Sequence, residues 1–88
     1  MSKHILVLAR RDVREAIRVA AGLTIRNNSV DFVFMKEAPL AINGKVENHE
    51  MFELAEIKPQ SLIPGIPDTT PCQNLGALIA KADRVVSF

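Results

Sequence analysis

Ile5-Leu6-Val7-Leu8-Ala9, closed by Arg10-Arg11-Asp12, is the stretch whose reading decides the fold. A run apolar at every position suits a central strand covered on both faces of a parallel sheet. Asp12, with Glu15 three residues on, carries a capping-box-like signal for a helix that starts at once. Val13, Ile17, Ala20, Ala21 and Thr24 mark one face of that helix, and Arg11, Arg14 and Arg18 lie toward the other. Asn27-Asn28 ends it. Val30 to Met35, rich in β-branched and aromatic residues, predicts a second strand. The first 35 residues therefore read β-α-β, a parallel pair joined by a right-handed crossover.

Working outward, Lys36-Glu37-Ala38-Pro39 leaves the second strand, and Ala41-Ile42-Asn43-Gly44 reads as a loop or distorted turn. Asn48 is placed to cap a short helix over 49–56, with Met51, Phe52, Leu54 and Ala55 facing inward. Ser61-Leu62-Ile63 predicts a short third strand stopped by Pro64-Gly65. The loop from Pro64 to Asp68 leads to a last helix over 71–82, where Leu75, Leu78, Ile79 and Ala82 form the apolar stripe. Arg84 to Phe88 is the final strand. The whole predicts an α/β fold, a three-layer sandwich with a mostly parallel four-stranded sheet, in a single domain spanning 1–88.

The chain has 88 residues, a hydrophobic fraction of 48% and only 5% aromatics, all four of them Phe, which predicts an aliphatic core. A small domain with so high an apolar fraction hints at an interface. The formal net charge of +1 gives no field to recruit nucleic acid or a membrane. Its distribution is uneven: residues 1–26 hold six basic and two acidic residues, and the rest holds five basic and eight acidic. A basic first helix suits a small anion or an acidic partner, or is simply a solvated helix face. Met1 to Ile5 leads straight into the strand pattern without a signal-peptide layout, and no apolar run approaches a membrane span. The expectation is a cytoplasmic protein, in which the sequon Asn27-Asn28-Ser29 carries no meaning.

Cys72 is the only cysteine, so no disulfide framework exists within the chain. In Thr69-Thr70-Pro71-Cys72-Gln73, Thr70 reads as a helix N-cap, Pro71 as the first helical residue and Gln73 as the closing member of a T-x-x-Q capping box. That places the Cys72 thiol in a first helical turn, where free N–H groups favour thiolate. The Thr69 and Thr70 hydroxyls, and Arg10 or Arg11 from the neighbouring strand end, are further candidates to stabilise it. In open α/β sheets ligands sit beyond the carboxyl ends of the strands, and Arg10-Arg11-Asp12, Lys36 to Pro39 and Pro64 to Cys72 all fall there.

Other chemistries lack a second component. Gly22, Gly44, Gly65 and Gly76 are too scattered for a dinucleotide fingerprint or a P-loop. A dithiol redox site would need a cysteine where Leu75 stands. A cysteine-phosphatase loop would need an arginine where Leu78 stands, to grip the phosphate with two N–H bonds. His4, His49 and Cys72 show no metal-ligand spacing. No cofactor and no metal are implied. A thiolate without a resolving partner can carry sulfur as a persulfide, form a mixed disulfide or become a sulfenic acid. Equally, Cys72 can be a small apolar residue packed under the sheet edge.

Three segments carry a family resemblance. They are Lys3-His4-Ile5-Leu6-Val7-Leu8-Ala9-Arg10 with the capped, alanine-rich helix after it (Ala16, Ala20, Ala21), then Val30-Asp31-Phe32-Val33-Phe34-Met35, and a late cysteine leading by a helix into Ala82-Asp83-Arg84-Val85-Val86-Ser87-Phe88. In these the chain resembles the DsrE/DsrF/DsrH-like family of small sulfur-relay proteins. The resemblance implies a flavodoxin-like α/β sandwich that forms homo- or hetero-oligomers, commonly trimers or hexamers. It also implies a cysteine that takes sulfane sulfur from a donor protein and passes it to an acceptor, a role that falls on Cys72. The competing expectation is a non-catalytic binding or assembly subunit with a small-ligand pocket between the Arg10-Arg11 loop and the Pro64 to Asp68 loop. A redox sensor forming an intersubunit disulfide is a third.

Overall fold

Strand β1 (His4–Ala9) runs through the middle of a parallel sheet, and every residue from Ile5 to Ala9 is buried. It pairs on one side with β2 (Ser29–Phe34) along six residues, from His4 opposite Ser29 to Ala9 opposite Phe34. On its other side it pairs along four residues with β5 (Arg84–Ser87). Two-residue strands β3 (Gln60–Ser61) and β4 (Thr70–Pro71) continue the sheet beyond β2, giving the order β4-β3-β2-β1-β5 with every pairing parallel. The computed structural model describes residues 3–88, so the first two residues of the expected 1–88 domain lie outside the described residues. The sheet has five strands where the sequence predicted four. The extra one is β4, and the third strand lies at Gln60–Ser61 and not at 61–63.

Alternation along β1 explains its unbroken apolarity. Ile5, Val7 and Ala9 point into one buried cluster, and Leu6 and Leu8 into another. The first cluster is closed by helix α1 (Val13–Ile25), through Val13, Ala16, Ile17 and Ala20, and by helix α2 (His49–Ala55), through Phe52. The second is covered by helix α3 (Leu75–Lys81), with Leu75, Leu78 and Ala82 against Leu6, Leu8 and Val33. Crossover handedness accounts for the division. Steps from β1 to β2 to β3 all move the same way across the sheet, so right-handed connections stay on one face. The return from β4 to a place beside β1 moves the other way and carries α3 to the opposite face.

The helix ends follow their sequences to different degrees. Asp12 caps α1 as expected, its carboxylate accepting the Glu15 N–H at 3.0 Å. The Glu15 carboxylate in turn raises the Arg18 guanidinium pKa, first by hydrogen bonding and then by charge. Asn48 precedes α2 but does not cap it with its side chain; it lies in the left-handed region at φ 62°. Glu56 closes α2 in the same left-handed region, and the Ile57 N–H reaches back to the Phe52 carbonyl at 2.9 Å. Two apolar side chains expected to face inward do not: Leu54 is 85% exposed and Ile79 45%.

The core is mainly aliphatic, as the composition predicts, but three of the four phenylalanines join it. Phe32, Phe34 and Phe52 meet edge to face, with ring centroids 4.9, 5.0 and 5.9 Å apart. Four phenylalanines are few, but three of them are concentrated where α2 meets the sheet. Because α2 has only seven residues, this contact holds it in place. Phe52→Ala is expected to destabilise the protein by about 3–5 kcal/mol in urea unfolding. Leu54→Ala, two residues along the same helix, should stay within about 0.5 kcal/mol of wild type.

Candidate functional site

The carboxyl ends of the strands form the edge where this class of sheet binds ligands. At that edge the connection from β3 to β4 makes a small pocket. Ser61 Oγ donates to the Ile63 carbonyl at 2.6 Å and accepts the Ile63 N–H at 3.1 Å, folding the chain sharply after β3. Pro64-Gly65 follows, with Gly65 at φ +90°, a backbone angle that glycine adopts freely. Thr69 Oγ1 then donates to the Ile66 carbonyl at 2.8 Å and closes the loop onto itself. The half-open pocket is about 280 Å³, and Cys72 lies in its lining with Ser61, Leu62, Ile66, Thr69 and Pro71.

Cys72 reaches this place by strand pairing. The Thr70 N–H donates to the Pro59 carbonyl at 3.2 Å, and the Cys72 N–H to the Ser61 carbonyl at 2.8 Å. The chain is thus extended through Thr70 and Pro71, where the sequence predicted an N-cap and a first helical turn. Helix α3 starts only at Leu75, and its cap is Asn74, whose side-chain oxygen accepts the Ala77 N–H at 3.0 Å. The expected T-x-x-Q box is not formed. Cys72 stands before the helix and not within its first turn, so the helix-terminus argument for an activated thiol does not apply. The side chain is half-buried and packs with Met35, Leu75 and Leu78 against the cluster of Leu6, Leu8 and Val33.

Only some of the expected site residues come together. Thr69 and Cys72 share the pocket. Thr70 is exposed on β4, and Gln73 is exposed in the turn ahead of α3. Arg10 and Arg11 follow β1, which β2 and β3 separate from β4. Their backbone N–H groups both donate to the Phe88 carbonyl, and the pair lines a recess with Ser87 and Phe88. Arg11 also borders a wider cavity of about 560 Å³ between the ends of β1 and β2, with Arg14, Lys36 and Glu37. The Arg10-Arg11 loop and the Pro64 to Asp68 loop thus line different cavities. Ser61, Leu62 and Ile63 are the pocket residues that sequence reasoning missed. The punctuation at Pro64-Gly65 and Pro67 marked a bend there, but nothing local said that it would fold over a cysteine.

The two histidines lie apart from the thiol. His4 Nε2 is 2.6 Å from Asp31 Oδ2, with Lys81 Nζ 3.6 Å from the same oxygen, at the amino-terminal edge of the sheet. There the Asp83 carboxylate also accepts the His4 backbone N–H at 2.8 Å, so the group ties the end of α3 to β1. His49 Nε2 lies 3.2 Å from Glu53 and 3.9 Å from Asp68, linking α2 to the loop that walls the Cys72 pocket. Among the described residues no group of three or more His, Cys, Asp or Glu is placed to hold a metal ion. No helix among them is long and apolar enough to cross a membrane.

Comparison of the chain with protein-family models, with curated proteins and with solved structures finds no match. The α/β fold with its five-stranded parallel sheet is therefore described from this chain's own structure. The two ways of placing Cys72 separate in a pair of substitutions. Asn74→Ala should cost about 1 kcal/mol in chemical denaturation, because it removes a formed cap. Gln73→Ala should change stability by less than about 0.5 kcal/mol, because its side chain closes no capping box.

Proposed function

We propose that this chain is a small cytoplasmic sulfur-relay-like protein in which Cys72 carries sulfane sulfur as a persulfide. The finer fold that goes with this reading is a three-layer, flavodoxin-like sandwich of DsrE-like type. The observation that carries the proposal is the position of Cys72: the chain's only thiol, half-buried in the lining of a pocket at the carboxyl edge of a parallel sheet. Further support comes from the segments that carry the resemblance. Lys3 to Arg10, Val30 to Met35 and Ala82 to Phe88 contain β1, β2 and β5, which lie side by side in the sheet.

The chemistry is a balanced transfer. The Cys72 thiolate attacks the outer sulfur of a donor persulfide, R–S–S⁻. The donor's S–S bond breaks, R–S⁻ leaves, and the outer sulfur is now bonded to Cys72 Sγ. No external oxidant or reductant is needed, because one S–S bond replaces another. An acceptor thiolate then repeats the step on the Cys72 persulfide and returns Cys72 to thiolate. With no second cysteine in the chain, an attack on the inner sulfur from within the same molecule is impossible, which preserves the persulfide for a partner. The pocket's apolar wall of Leu62, Ile66 and Pro71 limits water around the outer sulfur. Donor and acceptor are both proteins in this reading, and homo-oligomeric assembly belongs to it.

A second reading, a non-catalytic binding subunit, is favoured by the wider cavity at the same edge. There the cationic groups of Arg11, Arg14 and Lys36 stand near Asp12 and Glu37. Incubation with a polysulfide donor distinguishes the two. Intact-mass spectrometry should show a gain of about 32 Da, one sulfur atom, that is lost on reduction and absent from Cys72→Ser. Failure to load under conditions that load an established carrier overturns the sulfur-relay reading and leaves the binding subunit.

A further inference from the structure

The face formed by α1 and α2 carries an exposed apolar groove and an unusual distribution of charge. Ala21, Ile25, Met51, Leu54 and Ala55 line the groove, about 400 Å³ in volume. Ile25 and Leu54, on its two sides, are each 85% exposed, a level at which neither contributes to the monomer's core. Beside the groove, the segment from Arg11 to Arg26 holds four arginines against two acids, Asp12 and Glu15. The segment from His49 to Glu56 holds three glutamates and no lysine or arginine. Helical spacing puts Arg14, Arg18 and Ile25 in one row along α1, and Glu50 and Leu54 in one row along α2; Arg11 lies just ahead of the α1 cap. Among the described residues, Arg11, Arg26, Glu50 and Glu56 make no ion pair.

The two helices lie side by side with matching levels. Arg14 at the start of α1 pairs with Glu47, just ahead of α2, at 2.7 Å. Ala21 to Ile25 share the groove with Met51 to Glu56 at the other end. Arg18 therefore falls near the level of Glu50, and Ile25 and Leu54 meet at the shared groove. A surface with Arg14 and Arg18 on one side, Glu50 on the other and the exposed apolar Ile25 and Leu54 at one end is complementary to itself. A two-fold axis along the helices would place each α1 over the partner's α2. Arg14 and Arg18 would then face Glu50, and Ile25 would meet Leu54.

We infer that the α1–α2 face is the isologous interface of a homodimer, in which α1 of each protomer packs across α2 of the other. The occupant is a second copy of this chain, because the patch supplies both halves of its own charge match. Cys72 packs against the cluster under α3, across the sheet, so this dimer leaves the thiol pocket open.

Sedimentation velocity of the full chain from micromolar to millimolar concentration tests this. A reversible monomer–dimer equilibrium is expected, and Leu54→Glu should abolish it. Leu54 is exposed in the monomer, so that variant keeps its fold, which far-ultraviolet circular dichroism checks. Arg18→Glu and Glu50→Lys should each weaken self-association at least about tenfold, by setting like charges against each other. An equimolar mixture of the two should associate more tightly than either alone. A wild-type protein monomeric throughout, a dimer that survives Leu54→Glu, or a mixture no tighter than its components each overturns the inference.

Discussion

Everything in this structure depends on β1 being buried from both sides. Its residues alternate between two clusters, so both faces of the sheet must be covered, and one helical layer cannot do it. Parallel pairing to β2 and β5 imposes the rest. Parallel neighbours need crossovers, right-handed crossovers choose a face, and the loops that matter collect at the carboxyl edge. The covers are unequal. The α1–α2 side has thirteen- and seven-residue helices and a three-ring aromatic contact, whereas the other side has one seven-residue helix. The thinner side is closed in part by Cys72 and Met35, so the thiol contributes to packing as well as bordering the pocket.

The two edges of the sheet differ in what holds them. The amino-terminal edge is tied by charge, with His4, Asp31, Lys81 and Asp83 linking β1, β2 and the end of α3. The carboxyl edge is tied by backbone and hydroxyl hydrogen bonds around Ser61, Thr69 and Phe88. The pocket beside Cys72 is bounded by both polar groups, Ser61 and Thr69 among them, and the apolar side chains of Leu62, Ile66 and Pro71.

Much of the fold was legible because its signals are local and repeated. The apolar run of β1, the Asp12 cap and the periodicity of α1 each agree with the others, and consistency between levels is what a well-specified segment shows. Two-residue strands have no such signal. The expected third strand at Ser61 to Ile63 shifts to Gln60–Ser61, where it pairs with the edge that β2 offers, and Thr70–Pro71, which carries no strand signal, pairs in turn with β3. Leu54 and Ile79 were misassigned for a related reason: on a helix of two turns the apolar residues outnumber the positions that can be buried.

Residues 69–75 mark the division between what the sequence determined and what tertiary structure decided. By itself the sequence determined a parallel α/β core around Ile5 to Ala9, a helix ahead of the last strand and a single thiol before its end, but it put the start of that helix at Pro71 where the structure has Leu75. The local rules favoured Thr70 with Gln73 as the cap, and they carry no information about pairing partners distant in sequence. Tertiary structure chose Asn74. Extending Thr70 to Cys72 lets two backbone N–H groups pair with the Pro59 and Ser61 carbonyls, which a helical start at Pro71 would forgo. Backbone groups beside a sheet edge gain more from partners than a side-chain cap supplies, and those partners lie about ten residues away in sequence, out of reach of any local pattern.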